Sequence, residues 1–248
     1  MGFDIPQFLG ITGLELLIAV AAVLVGSCLQ GALGFGLGLV SAPVLVILNA
    51  DLVPAALLAI GLPLAASVVW RERADLDLRM IRWAILGRIP GTIIGSLSVA
   101  LLSRQVLSVG FGVVILAAVA VSTFGLAITP TRRNLFVAGV LSGVSGTATS
   151  VGGPPVALVY QQMPGAQVRA ALSFYMVVGA VGSLVALGLV GEVEPNDLLV
   201  AAILSPVVMV GFVVSRRVVH IVDQGLVRPA VLVFASLSAV SIVVRAFM

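Results

Sequence analysis

Lysine is missing from this chain, and charged residues make up only 9% of its 248 positions. A soluble domain carries roughly a quarter of its residues charged, so a soluble globular fold is excluded at the outset. Cysteine occurs once, as Cys28, which rules out an internal disulfide; with no other ligand nearby, neither a metal nor a cofactor is expected. No Asp or Glu falls in the middle of an apolar stretch: Glu15 lies near the end of one and Asp51 in a link. A carboxylate proton relay therefore has no support. The first ten residues, MGFDIPQFLG, contain no basic residue, so the apolar run after them does not read as a signal peptide. Lysine being absent, the basic residues are arginines, most of them in or beside short links. That is the pattern of topological anchors, and nucleic-acid binding is not expected despite a pI near 10.0.

What is present is apolar: 60% of the chain is hydrophobic. The apolar segments cover residues 12–30, 37–49, 53–70, 80–102, 105–127, 135–150, 154–163, 168–190, 197–215 and 226–247. Most are long enough for a hydrocarbon layer of about 30 Å, but 37–49, 135–150 and 154–163 look short for a full crossing. Residues 1–248 read as a single membrane domain. Arg71, Arg73, Arg79, Arg82, Arg132, Arg133, Arg169, Arg216, Arg217 and Arg228 mark the cytoplasmic side, with Arg104 and Arg245 as lone exceptions. Glu192, Glu194 and Asp197 fill a link without arginine, which suits the outside. Both termini then fall outside. The pair 12–30 and 37–49 starts and finishes on the outer side, and the pair 135–150 and 154–163 on the inner side. The expected fold is an all-α polytopic bundle of two inverted-topology repeats, 12–127 and 135–247. Each is a broken or re-entrant helix pair followed by three transmembrane helices.

A weak internal repeat supports the division. GALGFGLGLVSAPV at 31–44 matches GVSGTATSVGGPPV at 143–156 without a gap, placing Gly31 on Gly143, Gly34 on Gly146 and Pro43 on Pro155. PGTIIG at 90–95 shares its Pro-to-Gly spacing with PVVMVG at 206–211. Single glycines in membrane helices usually permit close packing, but matched Gly/Pro interruptions point to a transporter site. The glycines mark where a helix stops and restarts, because non-helical backbone at membrane depth needs protein or a water-filled cavity to satisfy it. Pro154 and Pro155 suit a first helical turn; Pro43 lies deeper and suits it less well. Two half-helix N-termini meeting near the midplane would make an anion site without a lysine.

The candidate substrate residues are Gln30, Gly31, Gly34, Gly36, Ser41 and Pro43 in the first motif, and Gly143, Ser145, Gly146, Thr147, Thr149, Gly152, Gly153 and Pro155 in the second. Arg88 joins them as a mid-helix charge, with snorkelling to the interface as its alternative; Leu204 holds the matching place in the second half. Hydroxyls and amides suit oxyanions, although Ser and Thr also bond back to helix carbonyls. Tyr160, Gln161 and Gln162 suit either an exit path or an interfacial belt. GVSG at 143–146 also fits the GxSG motif of intramembrane serine proteases, but the only base, His220, falls in a cytoplasmic link, too far from a deep Ser145. GFGLG does not complete a GxGxxG fingerprint.

The twin motifs, with GRIPGTIIGSL between them, resemble the sulfite exporter TauE/SafE family of bacterial membrane proteins over nearly the whole chain. The resemblance implies an inner-membrane exporter of small sulfur-containing anions such as sulfite or sulfoacetate, with the motif glycines and prolines carrying the family pattern. Ser41 stands in the first motif where the second has Gly153, so the two ends need not grip substrate equally. A membrane potential negative inside drives anions outward by about 2.3 kcal/mol per charge per 100 mV, so efflux needs no coupled ion. The expectation is a non-enzymatic transporter whose partners are a small anion and the lipid bilayer. A passive anion channel of the same architecture is the alternative. The oligomeric state stays open, a homodimer among the options.

Overall fold

The computed structural model describes residues 12–103, 105–106, 109, 128–160 and 163–222. Among the described residues the chain is helical, without a strand. Eight helices are defined: α1 (Gly13–Leu33), α2 (Leu37–Leu48), α3 (Ala55–Arg71), α4 (Leu78–Leu101), α5 (Arg132–Thr149), α6 (Gly153–Tyr160), α7 (Gly165–Leu189) and α8 (Pro195–Val222). Four of them (α1, α7 and most of α4 and α8) are long and apolar enough to cross a membrane. The expected crossings 105–127 and 226–247 lie outside the described residues apart from 105, 106 and 109, as do Arg104, Gln161, Gln162, Arg228 and Arg245.

The helix boundaries have local causes. Thr12 accepts from the Glu15 amide and Glu15 reaches back to the Thr12 amide at 2.7 Å, a reciprocal cap that opens α1. Asp77 caps α4 through the Arg79 amide, and Thr131 caps α5 through the Asn134 amide. The broken pairs are unequal in length from what the apolar runs suggested. At 1.5 Å per residue, α1 spans about 31 Å and α5 about 27 Å, while α2 and α6 cover about 18 Å and 12 Å. Only the second member of each pair is a half-helix.

Hydrophobicity does not sort the helix faces. Leu86, Ile89, Ile93 and Leu97 on α4, and Val181, Val185 and Leu189 on α7, are exposed, as suits a lipid-facing surface. What distinguishes the inner faces is small residues. Lipid is as apolar as leucine, so packing in a membrane rests on close van der Waals approach rather than on burying oil. Gly87, Gly91 and Gly95 of α4 lie against the backbone of Phe136, Val140 and Val144 of α5, and Gly139 returns the contact on Ala84. A Cβ at any of them would collide with a carbonyl. The same kind of seam joins α8 to α1, with Gly211 on Ser27 and Gly31 on Ser215.

The order of these contacts gives the helix directions. Successive turns of α4 meet successive turns of α5, so the two run parallel, and α1 runs parallel to α8 for the same reason. Ser67 meets Met209 and Arg71 meets Ser215, so α3 also runs with α8. Tyr175 donates to the Gly139 carbonyl and Thr147 pairs with Ser183, so α5 runs with α7. Leu58 packs with Leu187 while Glu72 binds Arg169, so α3 and α7 are antiparallel. Helices α1, α3 and α8 therefore point one way, and α4, α5 and α7 the other.

Candidate functional site

Both expected interruptions exist, and they touch. Helix α1 stops at Leu33, Gly34 takes a left-handed conformation (φ 88°), Gly36 another positive φ, and α2 restarts at Leu37. Helix α5 stops at Thr149, Ser150 takes the left-handed conformation (φ 63°), and α6 restarts at Gly153. Gly38 lies directly on the Ser150 carbonyl, and Gly153 on the Phe35 side chain; added Cβ atoms would overlap both. The breaks correspond Gly34 to Ser150, four residues away from the gapless motif match. Gly31 and Gly143 are thus ordinary helical residues in the tight seams, Gly143 packing on Gly91 and the Arg88 carbonyl.

Where the breaks meet, a cavity of about 40 Å³ opens. One water needs roughly 10–15 Å³ on the same scale, so there is room for a few waters or one small solute. Its lining includes Gln30, Gly38, Arg88, Gly146, Ser150 and Gly152, and no acidic side chain among the described residues. Arg88 stands about 15 Å along α4, close to its middle. It is only 4% exposed, so the snorkelling alternative does not apply. Its guanidinium stacks on the Tyr175 ring, 4.7 Å from the centroid, and lies so flat on Gly179 that a Cβ there would overlap it. Nε and Nη1 are buried with no hydrogen-bond partner among the described residues. An arginine at the bilayer centre costs about 2.5–3.5 kcal/mol, and the Tyr175 quadrupole recovers only part of that.

The donors expected at the half-helix ends are fewer than the dipole argument implies. Gln30, 5% exposed, accepts from the Leu37 amide at 3.2 Å and so occupies the first donor of α2. In α6, Pro154 and Pro155 fill the first turn as expected, but neither has an N–H to give. Ser142 binds the Gly152 carbonyl across the second break, and Ser150 donates to the Pro54 carbonyl at 2.9 Å, which holds its strained backbone in place.

Of the residues singled out in the sequence, Gln30, Arg88, Gly146 and Gly152 line the cavity, as does Ser150, one of the hydroxyls clustered in the second motif. The others do not. Gly34 and Gly36 shape the first break, and Gly153 and Pro155 start α6. Ser41 donates to the Ala22 carbonyl at 3.1 Å, tying α2 to α1, and Pro43 is buried within α2. Ser145 and Thr149 bond back to Leu141 and Ser145 carbonyls on their own helix, at 2.9 and 2.7 Å. Thr147 pairs with Ser183 at 2.7 Å. With its hydroxyl committed to its own helix, Ser145 is not set up as a nucleophile; the His220 side chain lies outside the described residues. Sequence reasoning missed Gly38, Tyr175, Met176, Gly179 and Ala180 around the cavity. Only Gly38 carried a usable signal, since it belongs to the first interrupted motif.

A helical bundle whose interrupted helices enclose a buried arginine, unpaired at two nitrogens among the described residues, is an architecture of membrane proteins that move small solutes. The chain belongs to the sulfite exporter TauE/SafE family, whose model matches residues 18–242 and thus both broken pairs. It is accordingly a membrane transport protein of a sulfite exporter family. No curated protein and no solved structure matches it.

Proposed function

We propose that this protein exports a small sulfur oxyanion, sulfite or a small organosulfonate, across the cytoplasmic membrane through the cavity between its two helix breaks. The observation that carries the reading is Arg88: a buried guanidinium with two nitrogens unpartnered among the described residues, in a cavity that none of their carboxylates lines. An anion there would supply the missing hydrogen bonds and neutralise the charge. Gln30 offers the anion an amide N–H₂, its carbonyl oxygen already being held by Leu37. The opposed directions of α1, α3 and α8 against α4, α5 and α7 support two inverted repeats, 12–127 and 135–247. Both termini then lie outside, and rocking of one repeat against the other alternates access.

The test is uptake of labelled sulfite into proteoliposomes, with sulfate, thiosulfate and sulfonates as competitors. Wild-type protein should accumulate sulfite and be inhibited by the better-fitting anions. Arg88→Gln should reduce the rate on the order of a hundredfold, the worth of one or two charge-assisted hydrogen bonds. Failure of every sulfur anion to move or compete would remove the substrate assignment. Wild-type kinetics in Arg88→Gln would remove the site.

A further inference from the structure

A second depression, of about 540 Å³, lies between the ends of α3 and α8, lined by Ala66, Ser67, Trp70, Arg71, Arg73, Phe212 and Arg216. It shares no lining residue with the transport cavity. Three arginines face it and, among the described residues, no acid does. Glu72, next in sequence, is held by Arg71 at 2.9 Å and Arg169 at 3.2 Å. Arg71 is also committed to the Gly31 carbonyl and to Ser215, so its role is structural. Arg73 and Arg216 are exposed, and their guanidiniums are laid out by aromatic rings: Arg73 over Trp70 at 4.7 Å, Arg216 over Phe212 at 5.8 Å. Beyond the arginines the wall turns apolar. Trp70 is 71% exposed, and Met209, Val210, Val213 and Val214 continue along the outer face of α8.

We propose that this groove binds the phosphate headgroup of an anionic phospholipid, its acyl chains lying along α8. Like charges gathered around an open space attract an anion. The apolar wall next to them suits a ligand with a hydrocarbon tail, which a free oxyanion lacks. Trp70 beside arginine is the side-chain pairing of a membrane interface, and on the orientation set by the arginines this is the cytoplasmic face, where basic pockets between helices take anionic headgroups. The inference stands whether or not sulfite is the cargo, because the two sites have no residue in common.

The full-length protein in a neutral detergent is titrated with phosphatidylglycerol, phosphatidylcholine or inorganic phosphate, following thermal unfolding and counting bound lipid by native mass spectrometry. Phosphatidylglycerol should bind saturably and raise the unfolding temperature, and phosphatidylcholine should do neither. Arg73→Gln with Arg216→Gln should weaken phosphatidylglycerol binding roughly twentyfold, each arginine contributing about equally. If that double variant does not fold, Trp70→Ala takes its place and should also weaken binding. Equal effects of both lipids, or wild-type affinity in the variants, overturns the proposal. Inorganic phosphate displacing phosphatidylglycerol at comparable concentration overturns the lipid occupant and makes the groove a site for free anions.

Discussion

The two helix breaks do the same job with different chemistry. The first is made by glycines: Gly34 and Gly36 reach positive φ without a Cβ to strain, and Gln30 caps the restarted helix. The second places a serine in the left-handed region, which costs a non-glycine residue roughly 1–2 kcal/mol, and steadies it through the Pro54 carbonyl. Beyond it, two prolines remove the donors of the first turn. The long polar side chains lining the cavity, Gln30 and Arg88, both come from the first half of the chain, while the second half lines it with the smaller Gly146, Ser150 and Gly152. The two breaks thus differ in what they bring to the cavity: on the proposed reading one half brings charge and donors, the other space and a fixed backbone.

That division can be broken at several points. The largest effect is expected from Arg88→Gln, whose predicted loss of sulfite uptake removes the charge itself. Next comes Gly179→Ala, in the half that makes room: the added methyl overlaps the guanidinium, so the arginine must leave its seat. Uptake should fall at least tenfold while the protein still runs as a folded species on size-exclusion chromatography; normal uptake would show that the seat on α7 does not matter.

Smaller effects probe the breaks. Gly34→Ser copies the second break onto the first, but its Cβ would lie 3.0 Å from the Arg169 Cα, against backbone. It should lower thermal stability by roughly 1–3 kcal/mol. Gln30→Leu leaves the buried Leu37 amide without its acceptor and should cost about 1–3 kcal/mol. The reverse exchange, Ser150→Gly, relieves strain and loses one hydrogen bond. It should change stability by less than about 1 kcal/mol. If both exchanges at Gly34 and Ser150 proved equally harmful, the two breaks would not differ as described.

The glycine and proline punctuation announced both interruptions, and most helix ends fell within a few residues of the apolar runs, as with α2 at Leu37–Leu48, although α8 runs on to Val222, past the expected 215. The residue at which each helix stops was less legible. Matching Gly31 to Gly143 follows the small residues that pack α1 on α8 and α5 on α4, whereas the breaks fall at Gly34 and Ser150. A glycine needed for a helix seam and one needed for a turn look alike in a string. The hydroxyls were misleading for a related reason. Ser41, Ser145 and Thr149 had a carbonyl within reach in their own hairpin or helix, and took it.

Composition alone determined that this chain lives in a bilayer, because so few charges cannot solvate a folded surface. Which residues face the cavity was decided only by the tertiary structure. In lipid the outer face of a helix is as apolar as the inner one, so no periodicity marks the side that turns inward. The environment of Arg88, with Tyr175 on one side and Gly179 beneath it, is assembled from helices distant in sequence, and no local pattern could announce it.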